Sequence, residues 1–463
     1  MTEVTPLSVV VLAAGAGKRM RSPLPKVLQP LAGRPLLSHV LQCADALRPD
    51  AIHVVYGHGG EAVRARFADV ASLRWVEQAE RLGTGHAVAQ AIPEIADHHR
   101  VLVLCGDVPL LQPDTLEALL SGSAQGVGVL TVELPDATGY GRIVRDAAGR
   151  VTAIVEERDA DEATRALREI NTGVIAAPAA RLRGWLSRLR NDNAQGEYYL
   201  TDIIAMAVAE GMPVVGIRAG DADEVAGINT RQQLADAETA LRRRAARMLM
   251  AQGAILADPA RIDVRGEVTV GQDVFLDANV TLEGRVELGD GVRVGPNVVL
   301  RDVTLGAGTE VHPFSLLEGV SCGTHCQLGP YARVRPGSQL ADRVKIGNFV
   351  EVKNSRLADG AKANHLSYVG DAEVGRDVNI GAGTITCNYD GANKHRTVIG
   401  DGAFIGSGVE LVAPVEIGAG ATIGAGSTIA KDAPAGQLTL ARTRQTTLRH
   451  WQRPTKKRPD PGP

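Results

Sequence analysis

The stretch Ile399-Gly400-Asp401-Gly402-Ala403-Phe404-Ile405-Gly406-Ser407-Gly408-Val409-Glu410-Leu411-Val412-Ala413-Pro414-Val415-Glu416-Ile417-Gly418-Ala419-Gly420-Ala421-Thr422-Ile423-Gly424-Ala425-Gly426-Ser427-Thr428-Ile429 decides the fold of the second half of this chain. An isoleucine or leucine recurs every six residues, a period that neither the 3.6 of a helix nor the 2 of a strand generates. Six is the repeat of a left-handed parallel β-helix, in which three hexads make one triangular coil and the aliphatic side chain points into the prism. The same phase runs backwards through Val270, Leu276, Leu282, Leu288, Val294 and Leu300, shifts by one to Leu305, Val311 and Leu317, and resumes at Leu328, Val334, Leu340, Ile346, Val352, Val374 and Ile380. It breaks at 319–327, 354–372 and 387–398. An insertion in a solenoid leaves the coil as a surface loop, so the second and third breaks are where chemistry is expected.

Upstream the rhythm differs. Apolar runs at 9–13, 52–56, 101–105 and 127–132 alternate with helical patterns such as 36–47 and 115–120. This predicts an α/β domain of Rossmann-like type with a mainly parallel sheet, whose ligands sit beyond the carboxyl ends of the strands. Between the halves, Leu234, Ala237, Leu241, Ala245, Met248 and Leu249 form one apolar helical face, with Arg242-Arg243-Arg244 opposite as a solvated face. The expected organisation is a domain over 1–230, a linker helix over 231–252, a β-helix over 253–441 and a Pro-rich basic tail over 442–463.

The chain has 463 residues, and 50 Lys+Arg against 53 Asp+Glu leave a formal charge of −3. That balance lacks the basic footprint of a nucleic-acid-binding surface, so any polyanionic partner is small. Aromatics are only 3% while Gly reaches 52 residues, so the core is built from Ala, Val, Ile and Leu. The scattered cysteines Cys43, Cys105, Cys322, Cys326 and Cys387 read as reduced thiols, without the spacing of a zinc site. With no signal-like segment and no apolar run long enough to span a bilayer, the expectation is a cytoplasmic protein without a membrane partner.

Directly after the first apolar run comes Leu12-Ala13-Ala14-Gly15-Ala16-Gly17-Lys18-Arg19-Met20, whose small residues let backbone N–H groups close around an anion. It is neither a Walker loop nor a dinucleotide fingerprint. Pro25-Lys26 supplies a further cation, which points to a polyphosphate. In the second half, Arg335 and Lys353 are 18 residues apart, one full turn of an ideal coil, and two cations stacked at one spot imply an anion. His365 stands in a break beside Tyr368, and an imidazole is suited to accept a proton near neutrality.

These motifs, with Gln78, Leu82-Gly83-Thr84-Gly85, Gly106-Asp107-Val108-Pro109-Leu110, Gly139-Tyr140-Gly141-Arg142, Glu156, Glu169-Ile170-Asn171-Thr172-Gly173, Gln195-Gly196-Glu197-Tyr198-Tyr199 and Gly227-Ile228-Asn229, resemble the sugar-phosphate nucleotidylyltransferases. Together with the hexapeptide half, the chain is similar over about residues 7–453 to the bacterial bifunctional N-acetylglucosamine-1-phosphate uridyltransferase/glucosamine-1-phosphate N-acetyltransferase family. The resemblance implies acetyl transfer from acetyl-CoA to glucosamine 1-phosphate. It then implies uridylyl transfer from UTP to N-acetylglucosamine 1-phosphate, releasing pyrophosphate and giving a precursor of peptidoglycan and lipopolysaccharide.

By that resemblance Asp107 and Asn229 hold Mg²⁺, and Arg19 and Lys26 stabilise the triphosphate. Leu12, Ala13, Ala14, Gly15, Gln78, Gly83 and Thr84 bind the nucleotide, and Gly141, Glu156 and Asn171 bind the amino sugar. His365 is the general base of acetyl transfer; Arg335, Lys353, Tyr368 and Asn379 grip the sugar phosphate. Ala382, Asn388, Tyr389, Ser407, Ala425 and Arg442 bind acetyl-CoA, with no acyl-Cys387 intermediate expected. The resemblance also implies a homotrimer with acetyl-CoA between subunits. Lys18 departs from the family, which usually carries Thr there, and is expected to add attraction for phosphate. The alternatives are a single-activity nucleotidylyltransferase with a structural β-helix, and a non-catalytic scaffold.

Overall fold

A computed structural model describes residues 5–15, 17–57 and 60–456, without the side chain of Lys18. The chain divides into two compact units, 1–244 and 245–463.

In the first unit the apolar runs form strands β1 (Leu7–Leu12), β2 (Ala51–Gly57), β3 (Leu73–Gln78), β4 (Arg100–Cys105), β5 (Val127–Glu133), β6 (Glu169–Pro178) and β7 (Val214–Arg218). They are ordered β7-β5-β6-β4-β1-β2-β3. β1 pairs in parallel with β2 and β4, so the loops after β1 and β4 emerge side by side at one sheet end. β6 is antiparallel to both β4 and β5 and makes the sheet mixed. Val9 and Val11 bury one face of β1 with Leu37 and Val40; Val10 faces the other with Val88 and Ile203. Burial on both faces is why these strands read as continuous apolar runs.

The helix Arg231–Ala251 buries Ala237, Ala245, Ala246 and Leu249, but two expectations for it fail. Met248 is 56% exposed, and Arg244 is not a solvated charge, since its guanidinium donates to the Leu110 carbonyl at 2.8 Å.

The second unit is a parallel β-helix. Leu276, Val294, Val311, Leu328, Ile346, Ala363, Ile380, Ile405 and Ile423 stack in register on an eleven-stranded parallel face. The remaining strands form a fifteen-stranded sheet around the other sides. Apart from the half-buried Val270, every hexad residue named from the sequence is buried. The glycine after the aliphatic residue is required by the neighbouring coil: a Cβ on Gly406 would lie 2.5 Å from the Ala425 nitrogen.

Two of the three breaks are not insertions. Glu310, Gln327, Lys345, Lys362 and Asn379 pair successively with no loop inserted between them, so 319–327 and 354–372 stay within the solenoid. Buried Cys322 occupies the inward position of the first. Leu357, Ala363 and Val369 occupy those of the second, where coils shortened by one residue shift the phase. Only 387–398 leaves the coil, since Asn379 pairs next with Phe404. Residues 442–456 of the tail are exposed and carry neither helix nor strand; 457–463 lie outside the described residues.

Candidate functional site

The first constellation lies where β1 and β4 end together. Gly106 N–H donates to the Leu12 carbonyl at 2.9 Å, which sets Asp107 beside the loop after β1. Ile228 N–H donates to the Asp107 carbonyl at 2.9 Å and so delivers Asn229 to the same point. The Lys26 ammonium bridges the two, paired with the Asp107 carboxylate and donating to Asn229 Oδ1 at 3.0 Å. Gly17 adopts φ +60°, and a Cβ there would lie 2.7 Å from Lys26 Cβ, so glycine lets the loop fold onto this lysine.

A cavity of about 360 Å³ opens here, lined by Leu12, Ala14, Gly15, Lys26, Gln78, Gly83, Thr84 and Asp107. Ala13 is buried and contributes through its backbone, which continues the sheet to Val55. Arg81, Cys105 and Glu197 also line the cavity; none was given a site role from the sequence, although Glu197 stands in the quoted motif 195–199 and Cys105 among the scattered cysteines. Gln78 donates to the Gly83 carbonyl at 3.1 Å. Tyr198 N–H donates to Leu82 and Gly85 N–H to Tyr198, so 195–199 clamps the Gly83-Thr84 turn. Arg19, expected to be catalytic, stands exposed on the turn Lys18–Met20 and is not part of the cavity lining. The Lys18 side chain lies outside the described residues.

Gly141, Glu156 and Asn171 meet beside β6. Asn171 N–H donates to the Gly141 carbonyl at 2.8 Å, and a Cβ on Gly141 would lie 3.4 Å from Glu156 Oε2. Asn171 Oδ1 accepts from Gly173 N–H at 3.0 Å, leaving its amide NH₂ to serve a ligand. Burial pushes the Glu156 carboxyl above the usual range against the hydrogen bond from Thr201, and Asp202, Asp159 and Glu197 add to the rise.

The second constellation is on the β-helix. Arg333, Glu351 and Tyr368 are successive register partners, and Arg335 follows the first, with its guanidinium on Glu351 at 2.8 Å. Lys394, from the inserted loop, pushes the Lys353 ammonium below its ordinary value, and Arg335 adds to this. Asn388 donates to Asp371 and, at 3.5 Å, to the Tyr368 hydroxyl. Burial pushes the Asp371 carboxyl up, but hydrogen bonds from Asn354 and Asn388 and the charges of Lys394 and Lys353 outweigh it and hold the carboxyl low.

His365 is not in a loop. It ends the strand Lys362–His365, exposed, with Nδ1 2.9 Å from Asn348 Oδ1 on the preceding coil. Donation from Nδ1–H to that amide oxygen leaves Nε2 free to accept a proton. Asn379 lies on the same face in register with Lys362, not beside Tyr368.

Ala382, Ser407 and Ala425 stack at one corner of the prism, because Gly408 N–H donates to Ala382 and Gly426 N–H to Ser407. Arg442 donates to the Ala425 carbonyl at 2.9 Å. Tyr389 is exposed on the inserted loop, its hydroxyl donating to Gly391 at 2.6 Å. Burial and then Glu410 raise the Cys387 thiol, which disfavours a thiolate.

A model of the MobA-like NTP transferase domain matches residues 9–192, and one of the bacterial transferase hexapeptide repeat matches 267–302 and 396–431. The bifunctional protein GlmU of Alkalilimnicola ehrlichii is 59% identical over 456 residues, 98% of each chain. That of Azoarcus sp. is 60% identical over 453 residues, covering 98% of this chain and all of the relative. That of Stenotrophomonas maltophilia is 58% identical over 98% of this chain and 99% of its own.

The chain belongs to the bifunctional GlmU family.

In this GlmU-family chain a nucleotidyltransferase half is joined to a hexapeptide half. Sequence patterns alone did not single out Asn348, Asp371 and Lys394, although Asp371 and Lys394 stand within the breaks of the hexad period. Coil-to-coil stacking sets Asn348 beside His365 and Asp371 beside Lys353, while Lys394 reaches Lys353 from the inserted loop. Among the described residues no helix is long and apolar enough to cross a membrane, and no cluster of three or more His, Cys, Asp or Glu is arranged to hold a metal.

Proposed function

We propose that this GlmU-family chain makes UDP-N-acetylglucosamine in two steps, acetylating glucosamine 1-phosphate on the β-helix and uridylylating the product in the N-terminal unit, in the cytoplasm and as a homotrimer. The observation that supports it is that each unit holds its own charged constellation: Lys26 on Asp107 and Asn229 in one, Lys353 with Lys394 and Arg335 in the other. A coil that only promoted assembly would gain nothing from crowding three cations together.

In the N-terminal unit, the Asp107 carboxylate and the Asn229 amide oxygen already converge on one cation, the Lys26 ammonium. Two oxygens, with the rest of the shell left to substrate phosphates, are a donor set that fits Mg²⁺. Asp107 and Asn229 would hold that ion, which when bound supplies charge neutralisation for the phosphates. Lys26, released from the pair, and Arg19 would then stabilise the departing pyrophosphate, while the backbone around Ala13–Gly15 cradles the nucleotide. Gln78, Gly83 and Thr84 hold the base; Gly141, Glu156 and Asn171 orient the sugar so that its phosphate oxygen attacks the α-phosphorus in line. No protein nucleophile is needed.

On the β-helix, Arg335, Lys353 and Tyr368 hold the sugar phosphate, with Asn379 contributing from the neighbouring face. His365 Nε2 takes a proton from the amine; the amine nitrogen forms its bond to the acetyl carbonyl carbon, the C–S bond breaks, and coenzyme A leaves as the thiol after protonation. The Ala382 N–H faces the developing oxyanion. Asn388 and Tyr389 hold the thioester, and Ser407, Ala425 and Arg442 continue the track. His365 is exposed in the single chain, so a neighbouring subunit would close the pocket around it.

The test is incubation with glucosamine 1-phosphate, acetyl-CoA, UTP and Mg²⁺, following free thiol and pyrophosphate separately. His365→Ala should abolish thiol release and leave pyrophosphate release from added N-acetylglucosamine 1-phosphate. Asp107→Ala should do the reverse. Loss of both signals in either variant would refute two independent sites.

A further inference from the structure

One corner of the prism changes character along the solenoid. At successive coils it carries Phe314, Tyr331, Phe349 and Leu366, then Gly383, Gly408 and Gly426, all in left-handed backbone conformation with φ between +49° and +75°. Leu366 N–H donates to Asn348, Gly383 N–H to His365 and Gly408 N–H to Ala382, so these residues stand in one column. The Phe314 and Tyr331 rings stack at 5.1 Å, and those of Tyr331 and Phe349 at 5.2 Å. Their side chains and that of Leu366 are about half exposed or more, with Leu366 at 62%.

Backbone conformation does not explain the change. A left-handed residue is ordinarily glycine, and bulky ones are rare. Nor does crowding, because a Cβ on Gly408 or Gly426 would meet nothing within 4 Å. The column is therefore bulky on one side of Leu366 and bare on the other by choice of side chain. The change falls beside the base, since His365 precedes Leu366 in the chain.

We propose that Leu366 closes the acyl end of the thioester track and confines the transferred group to two carbons. This rests on the acetyl-transfer reading of the β-helix site. A thioester running from Arg442 past Ala425, Ser407 and Ala382 reaches His365 at the last bare step. A third carbon on the acyl chain would be directed at Leu366, and behind it at Phe349. Glycine at 366 would lengthen the bare track by one coil and would relieve the left-handed conformation of a leucine at φ +49°.

The experiment compares kcat/KM for acetyl-CoA, propionyl-CoA and butyryl-CoA, with glucosamine 1-phosphate as acceptor, in the wild-type protein, Leu366→Ala and Leu366→Gly. The wild type should prefer acetyl over propionyl by about tenfold or more, and both variants should narrow that preference by about tenfold, since one methylene in a closed pocket discriminates on that scale. Leu366→Phe should widen it. An unchanged propionyl-to-acetyl ratio in the two small variants, with acetyl transfer retained, overturns the proposal. So does an equal loss with all three thioesters, which would make Leu366 a contact between subunits. Absence of thiol release from acetyl-CoA by the wild-type protein instead overturns the acetyl-transfer reading itself.

Discussion

Asn348 Oδ1 lies 2.9 Å from His365 Nδ1, one coil of the β-helix supporting the imidazole of the next. This bond fixes which nitrogen carries the proton and leaves Nε2 as the base. Asn348→Ala should lower kcat of acetyl transfer by about 10- to 100-fold, within the range a positioned general base contributes. Asn348→Asp should place a carboxylate beside Nδ1–H, favour the imidazolium and move the acid limb of the kcat profile to higher pH. Profiles that superimpose for the wild type and Asn348→Asp would remove the positioning role.

Lys26 competes with any divalent ion for the oxygens of Asp107 and Asn229. Lys26→Ala should therefore bind Mg²⁺ more tightly without nucleotide, seen as a larger Tm rise on adding the ion. Pyrophosphate release should nevertheless fall by at least about a hundredfold, the usual scale for losing a charge stabiliser. Asp107→Asn should lose the Mg²⁺-dependent rise. A Tm response to Mg²⁺ identical in all three proteins would contradict a shared cation position.

Glu156 is held at a cost. Its carboxyl is raised first by burial and then by Asp202, Asp159 and Glu197, so its ionised form is disfavoured in the folded state. For a carboxyl whose folded value is raised, the penalty is absent below the ordinary carboxylate value and grows as pH rises through the raised one. Glu156→Gln should stabilise the N-terminal unit at neutral pH by about 1 kcal/mol, or roughly 2–4 °C in Tm, and lose that advantage near pH 4. The same change should raise KM for the sugar phosphate. Equal Tm gains at pH 4 and pH 7.5 would show that charge is not the cause.

Lys353 is pushed below its ordinary value by Lys394 and, less, by burial and Arg335. A bound phosphate favours the ammonium, so binding takes up a proton once pH exceeds the lowered value. Affinity for glucosamine 1-phosphate should fall as pH rises through a range below the ordinary lysine value of 10.5. Lys394→Ala should weaken binding at pH 7.5 by about tenfold and move the basic limb upward, because the repelling charge is gone. Calorimetric titration at several pH values would reveal a basic limb that does not move, and with it the absence of coupling.

The inward positions of the β-helix were legible wherever an aliphatic side chain filled them, because only burial in the prism demands that residue type every sixth position. They were illegible where another residue served. Ala363 fills a hexad position between Leu357 and Val369, and two shortened coils around it made one regular region read as a loop. Thr386 fills another by satisfying its hydroxyl on the Gly370 backbone at 2.7 and 3.0 Å. In the N-terminal unit the runs revealed the strands, but nothing in the apolar pattern of β6 shows that it enters antiparallel between β4 and β5. Motif order located Asp107, Asn229 and Lys26. Contacts such as Asn348 with His365 across neighbouring coils, and Lys394 of the inserted loop with Lys353, join residues that no local spacing relates.

Cys322 is a third inward residue that departs from the hexad rule, beside Ala363 and Thr386. It is 6% exposed, stacks in register between Leu305 and Leu340, and occupies the step between Leu317 and Leu328, where most other steps carry Val, Ile or Leu. Burial pushes its thiol well up, so it behaves as a small apolar group and not as a nucleophile. Cys322→Val should be neutral or slightly stabilising. Cys322→Ser should cost about 1–3 kcal/mol, because a hydroxyl there is buried against an aliphatic stack. Urea unfolding of the β-helix transition separates the two outcomes, and a serine variant with an unshifted midpoint would mean that this position tolerates a polar group. Thiol labelling of the native protein gives an independent measurement, with Cys322 expected to react only after unfolding.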